Sequence, residues 1–302
     1  MSTVTTRRRF NLALLGLAGA PLAACTTARM ARPISAIDCH AHVFTRALPM
    51  PDRRRAPEGY DATPEDYLRQ LDANGMSHGV LVQPSFLGTD NNYLMAALRR
   101  HPDRFRGIAV IDNNASPDDL QVMQNAGVVG IRLNLVGLPT PDFSSPAWRV
   151  LLDDLKQRRW QVEVHRSAGE LQSAIDPLLA AGLNVVVDHF GRLDAKLGVD
   201  DPGFRYLLSL GTSRQVWVKL SAAYRNGKDG QGEATAIATM PLLRAAFGLD
   251  RLVWGSDWPH TLFEKTESYW TERQLLDQWL PIPTDRQVVL RDTPSRLFAF
   301  NR

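Results

Sequence analysis

The sequence predicts a (β/α)8 TIM barrel forming one domain behind an export signal, and three observations carry that prediction. Eight short runs of β-branched and apolar residues recur along the chain, with a helix-like run between successive ones. The chain has 302 residues, 44% of them hydrophobic, which is ample for one core of the about 250 residues such barrels use. No Gly-x-Gly-x-x-Gly follows the first strand. That disfavours a doubly wound open sheet, the other arrangement the alternation allows.

Residues 1–25 read as an address. Thr6-Arg7-Arg8-Arg9-Phe10 fits the twin-arginine export pattern, and the apolar stretch 12–20 behind it is too short to span a bilayer. Leu22-Ala23-Ala24-Cys25 is similar to a lipobox. The expectation is a periplasmic or membrane-anchored lipoprotein lipidated on Cys25, with plain cleavage near Ala24 as the alternative. Residues 26–35 form a polar linker, and residues 36–302 the barrel. Of the two cysteines only Cys39 would remain, so no disulfide forms.

The net charge of +3 sits in Arg7, Arg8 and Arg9, which leaves 32 basic against 32 acidic side chains in the rest. A neutral body of this kind offers no sign of a nucleic-acid surface. A membrane is met only through the lipid anchor, and the oligomeric state is not encoded in any motif.

The strands are expected at 36–44, 78–84, 106–112, 128–135, 161–166, 184–191, 216–224 and 251–258. Thr63-Pro64-Glu65-Asp66 and Ser116-Pro117-Asp118-Asp119 each offer a cap, a first-turn proline and acids that suit a helix N-terminus. Gly127, Gly182 and Gly248 close helical runs where a left-handed residue is wanted. The basic, proline-rich loop 48–60 should lie over the mouth, and DTPSRLFAF should form a last helix covering the barrel.

Five of the seven histidines fall at or just beyond a strand's C-terminal end: His40, His42, His165, His189 and His260. In a barrel those ends converge on one mouth. Asp257 ends strand eight, which closure places beside strand one. Neutral imidazoles and a carboxylate suit either of two chemistries. One is a single divalent ion, zinc or manganese, that activates water; the other is metal-free, with the aspartate as general base. Cys39 should point away from its histidine neighbours and pack. Arg132, Arg166, Arg192, Arg225 and Lys219 suggest a carboxylated substrate, or else pairing with Glu163, Asp188 or Asp194. No Gly-x-Ser-x-Gly elbow, phosphate loop or Cys-x-x-Cys cluster is present in the sequence.

IDCHAHVF, GIRLNL, VDHFGR, VKLSAAYR and VWGSDWPH, in that order, resemble the amidohydrolase superfamily. They are closest to its lactonase branch of pyrone-dicarboxylate lactonases and sulfomuconolactone hydrolases. The resemblance implies hydrolysis of a small anionic lactone. Asp257 would be the base; His40, His42 and His189 would line the carbonyl site; Arg132, Arg192 and Arg225 would hold carboxylates. His165 stands where the pyrone lactonase has a tyrosine, and VGLPTP lacks that enzyme's second arginine. His165 would instead complete the mononuclear set His40, His42, His165 and Asp257, with His189 as acid or base. Arg132 in strand four argues against a binuclear centre. Metal-dependent decarboxylation, lactone isomerisation and an inactive ligand-binding lipoprotein are the other expectations.

Overall fold

The computed structural model describes residues 1–2, 32–51 and 56–300. The signal, Cys25 and residues 52–55 of the loop after strand one lie outside the described residues. Eight parallel strands run in chain order: β1 (Ile37–Ala41), β2 (His78–Val82), β3 (Phe105–Ala109), β4 (Val128–Asn134), β5 (Gln161–His165), β6 (Val185–Val187), β7 (Val216–Leu220) and β8 (Leu252–Trp254). Each expected run contains or closely overlaps its strand. The helices are α1 (Pro64–Ala73), α2 (Asn92–Arg100), α3 (Pro117–Ala126), α4 (Pro146–Arg158), α5 (Leu171–Ala180), α6 (Pro202–Ser209), α7 (Gln231–Phe247), α8 (Tyr269–Trp279), α9 (Pro283–Gln287) and α10 (Thr293–Leu297). Among the described residues no helix is long and apolar enough to cross a membrane.

Main-chain bonds join the last strand to the first. His42 N donates to Trp258 O and Asp257 N to His40 O, both at 2.8 Å, and Ala41 bridges Trp258. The barrel is thereby nearly closed, and the two ends of the chain meet at the mouth. Thr63 and Ser116 both form reciprocal capping boxes with the acid three residues on, and Gly127 ends α3 in the left-handed region. These local signals set the helix ends. Burial of continuous runs such as Val185–Val187 sets the strands.

Most of the core lies between strands and helices. A smaller cluster gathers Ile37, Cys39, Val80, Val82, Ile108 and Val253 around Phe298, which follows α10. The last helix therefore covers the barrel, and Cys39 packs. Ile37 and Cys39, two residues apart, share this cluster as strand alternation requires, although β1 shifts register between Asp38 and Ala41. Asp38 shares parity with the histidines, yet its carboxylate accepts from His40 N (3.1 Å), Ser256 N (2.9 Å) and Ser256 Oγ (2.6 Å).

Candidate active site

Four of the five strand-end histidines converge around Asp257. His40 and His42 approach Nε2 to Nε2 at 3.2 Å. The His189 ring lies 4.9 Å from both His40 and His165. His260, the fifth, sits behind Asp257 with Nδ1 3.3 Å from the Tyr224 hydroxyl. His189, Asp257 and His260 all adopt positive φ, at 52°, 59° and 62°. The strands have ended by then, and tight left-handed turns aim these side chains inward at about 1 kcal/mol or more apiece. His189 and Asp257 line a cleft together with His42, Arg132, His165 and Arg225.

Asp257 is fully buried and firmly held. Its Oδ2 accepts from Tyr224 Oη and Arg225 Nε, both at 2.6 Å. Its Oδ1 lies 3.5 Å from the Nε2 atoms of His40 and His42. Burial favours the neutral acid, but Arg225 and the imidazoles hold its pKa well below the carboxylate range. Burial keeps His165 and His189 neutral and takes His40 down to about 3, with Lys219 adding to the effect.

Under the histidines lies a layer of buried ions. Lys219 Nζ sits 2.7 Å from Glu163 Oε2, 3.1 Å from Asp188 Oδ1 and 2.9 Å from His40 Nδ1. Arg132 Nε donates to Asp188 Oδ2 at 2.9 Å. Of the two sequence readings of these cations, substrate contact or pairing with protein acids, the distances show pairing for several. Lys219 is no cation at the mouth, and Arg132 and Arg225 are paired to Asp188 and Asp257, although both still line the cleft. Arg166 binds Glu170 and the carbonyls of Leu135 and Leu138. Arg192 alone of the five cations has no ion pair or side-chain hydrogen bond among the described residues. Burial and nearby Arg225 take its pKa down to about 10.

The expected metal set assembles incompletely. His40, His42 and Asp257 bring their ligand atoms together, and His40, Asp188 and His189 make a second such group. His165 joins neither, and neither of its ring nitrogens has a partner among the described residues. The spacings of 3.2, 3.5 and 3.5 Å in the first group match the edges of a tetrahedron about an ion with bonds of roughly 2.0–2.1 Å. His42 has the polarity of a ligand, since Nδ1 gives its proton to Val82 O at 2.8 Å. His40 has the opposite polarity, because its Nδ1 faces an ammonium. The positions suit an ion; the protons as arranged do not.

Sequence reasoning missed Tyr224 and Ser221. Tyr224 holds Asp257, and Ser221 Oγ holds His189 Nδ1 at 2.8 Å. Both lie in the VKLSAAYR segment, and their only signal was its place after strand seven. Asn134, two residues beyond Arg132 on the same strand face, also lines the cleft.

The chain matches the amidohydrolase family over residues 37–300. The chain belongs to that family. Among its relatives is 4-sulfomuconolactone hydrolase of Hydrogenophaga intermedia, 29% identical over 90% of this chain and 91% of that one. A solved structure described as a 2-pyrone-4,6-dicarboxylic acid hydrolase, from Pseudomonas putida, is 43% identical with a TM-score of 0.84, over 90% of this chain and all of that one. A third, given the same description, comes from Acinetobacter baumannii and has citric acid bound. It is 35% identical with a TM-score of 0.85, over 88% of this chain and all of that one. This amidohydrolase is therefore an enzyme of the lactonase branch, a hydrolase acting on cyclic esters.

Proposed function

We propose that this amidohydrolase opens a small carboxylated lactone by attack of water, with Asp257 as general base and no metal taking part. The observation that carries this reading is the Asp257 carboxylate, clamped on one oxygen by Tyr224 and Arg225 and directed at the imidazoles with the other. Water attacks the lactone carbonyl carbon and gives its proton to Asp257. The ring C–O bond then breaks, and the departing ring oxygen takes that proton back. His189, held by Ser221, offers its other nitrogen to the carbonyl oxygen.

A carboxylate bound by arginine is a weak base until the arginine is drawn away. An anionic substrate group that takes the Arg225 guanidinium competes with Asp257 for it, so binding raises the basicity of Asp257. Arg192 supplies a second, unpaired cation. The relatives' lactones carry sulfonate or carboxylate groups by name, and the citric acid bound in one of them is a polycarboxylate. The Leu135–Pro141 stretch contains no arginine. A substrate with fewer acidic groups than a pyrone dicarboxylate, and a neutral group beside His165, fits better.

Asp257→Asn should lower kcat by about 10²–10⁴-fold on a panel of carboxylated lactones followed by pH-stat, while an unreactive analogue still binds. Turnover surviving in that variant would sink the assignment. Release of carbon dioxide, or an isomerised lactone, would put the chain in a different reaction class. We also propose export by the twin-arginine route. Cys25→Ala should shift the protein from the membrane to the soluble periplasmic fraction if Cys25 is lipidated, and a chain that stays cytoplasmic would refute export.

A further inference from the structure

We propose that Lys219 is the residue that closes this site to a metal ion: by donating to His40 Nδ1 it holds the ring's proton on Nε2, the atom through which His40 would bind an ion beside His42 and Asp257.

The argument starts from the direction of the hydrogen bonds. Lys219 is fully buried, with Glu163 Oε2 at 2.7 Å and Asp188 Oδ1 at 3.1 Å. An ammonium between two carboxylates stays charged, and a charged ammonium only donates. Its contact with His40 Nδ1 at 2.9 Å therefore makes that nitrogen an acceptor. A neutral ring with Nδ1 accepting carries its proton on Nε2, which points at His42 Nε2 at 3.2 Å. His42 can accept there because its own proton goes to Val82 O. Every ring nitrogen of the pair then has a partner, and the chain of bonds runs one way, from Lys219 to the main chain of β2.

Loading an ion would reverse the first link. His40 would have to place its proton on Nδ1, against the ammonium. The other acceptor near that atom among the described residues is Asp188 Oδ1 at 3.5 Å, which is already ion-paired with Lys219 at 3.1 Å. Charge points the same way. Lys219, Arg132 and Arg225 face Glu163, Asp188 and Asp257 in a buried cluster of three cations and three carboxylates. With the unpaired Arg192 beside it the site has no negative charge to spare, and a divalent cation would add two more uncompensated charges in a low-dielectric region. Lys219 is thus a positioning residue that acts through His40. The tripod spacing is retained, while the proton that would have to leave it is pinned.

The proposal deepens the metal-free reading above and rests on it, but its readouts need no substrate, so the lactone assignment stands or falls separately. The test begins with the purified protein labelled with ¹⁵N at histidine, stripped with chelator and then dialysed against zinc. The His40 ring, assigned by its loss in His40→Asn, should be protonated at Nε2, and zinc uptake should stay well below one equivalent. Lys219→Met combined with Glu163→Gln removes one charge of each sign and preserves the balance. In that variant the proton should move to Nδ1, facing Asp188. Zinc affinity should rise about 10–100-fold, the size of effect that partners of metal ligands exert, and adding His42→Asn should abolish the gain. A wild-type His40 protonated at Nδ1 overturns the proposal whether or not the variant folds. So does a full equivalent of zinc held by the wild type through His40. A folded double variant that takes up no more zinc than its parent overturns it too.

Discussion

Gly255 lets the last strand touch the histidine it serves: a Cβ there would stand 2.5 Å from His40 Cβ and 2.8 Å from His40 N. Gly255→Ala should therefore cost about 1–3 kcal/mol, as overpacking does, and should lower kcat because Asp257 is two residues away. A melting curve and a turnover assay together check this, and wild-type values in both would show that the contact is slack. Arg192 makes a different prediction. Without a counter-ion, it can meet an anionic substrate at no loss of an existing ion pair. Arg192→Ala should raise KM about 10–100-fold, the worth of one charged hydrogen bond, with kcat little changed. A collapse of kcat at constant KM would instead place Arg192 in the chemistry.

At the scale of elements, caps and site are separable. Ser116 Oγ accepts from Asp119 N at 3.1 Å, and Asp119 Oδ2 accepts from Ser116 N at 3.1 Å. Neither residue lines the cleft. Ser116→Ala should cost about 1 kcal/mol of stability, read by urea denaturation, with kcat/KM unchanged. Strands were legible as elements because burial on both faces writes continuous apolar runs. Their ends were not. The run 184–191 reads as one strand, yet β6 stops at Val187 and His189 already sits in a left-handed turn. Hydropathy carries no record of φ, so the turns that aim His189 and Asp257 were invisible. The register shift in β1 was equally hidden.

Across the whole molecule the buried imidazoles couple stability to pH. His40, His165, His189 and His260 have folded pKa values pulled down by burial, to about 3 for His40 and about 4 for His260. An unfolded histidine titrates near about 6.5. Below that pH the unfolded chain binds protons that the folded chain refuses, so stability is fully present above it and falls as pH drops. Each histidine withdraws about 1 kcal/mol per pH unit just below 6.5. Asp38, Glu163, Glu267 and Glu272, raised by burial, act in the opposite sense, but with His78 also lowered the histidines outnumber them. Urea midpoints measured from pH 7 to pH 5 should fall, and a flat profile would mean that the rings are charged or solvated in the folded state. The sequence by itself determined the alternation of strands and helices, the capped helix starts, and the set His40, His42, His165, His189 and Asp257 at strand ends. These follow from periodicity and from the convergence of parallel strands. Only the tertiary structure decided which cations are free, that Tyr224 and Ser221 hold the chemistry in place, and that His165 stands apart from the tripod. It also decided the polarity of His40, because a hydrogen bond between Lys219 and His40 joins residues 179 apart in sequence, and its direction is set by two carboxylates, Glu163 on β5 and Asp188 just past β6.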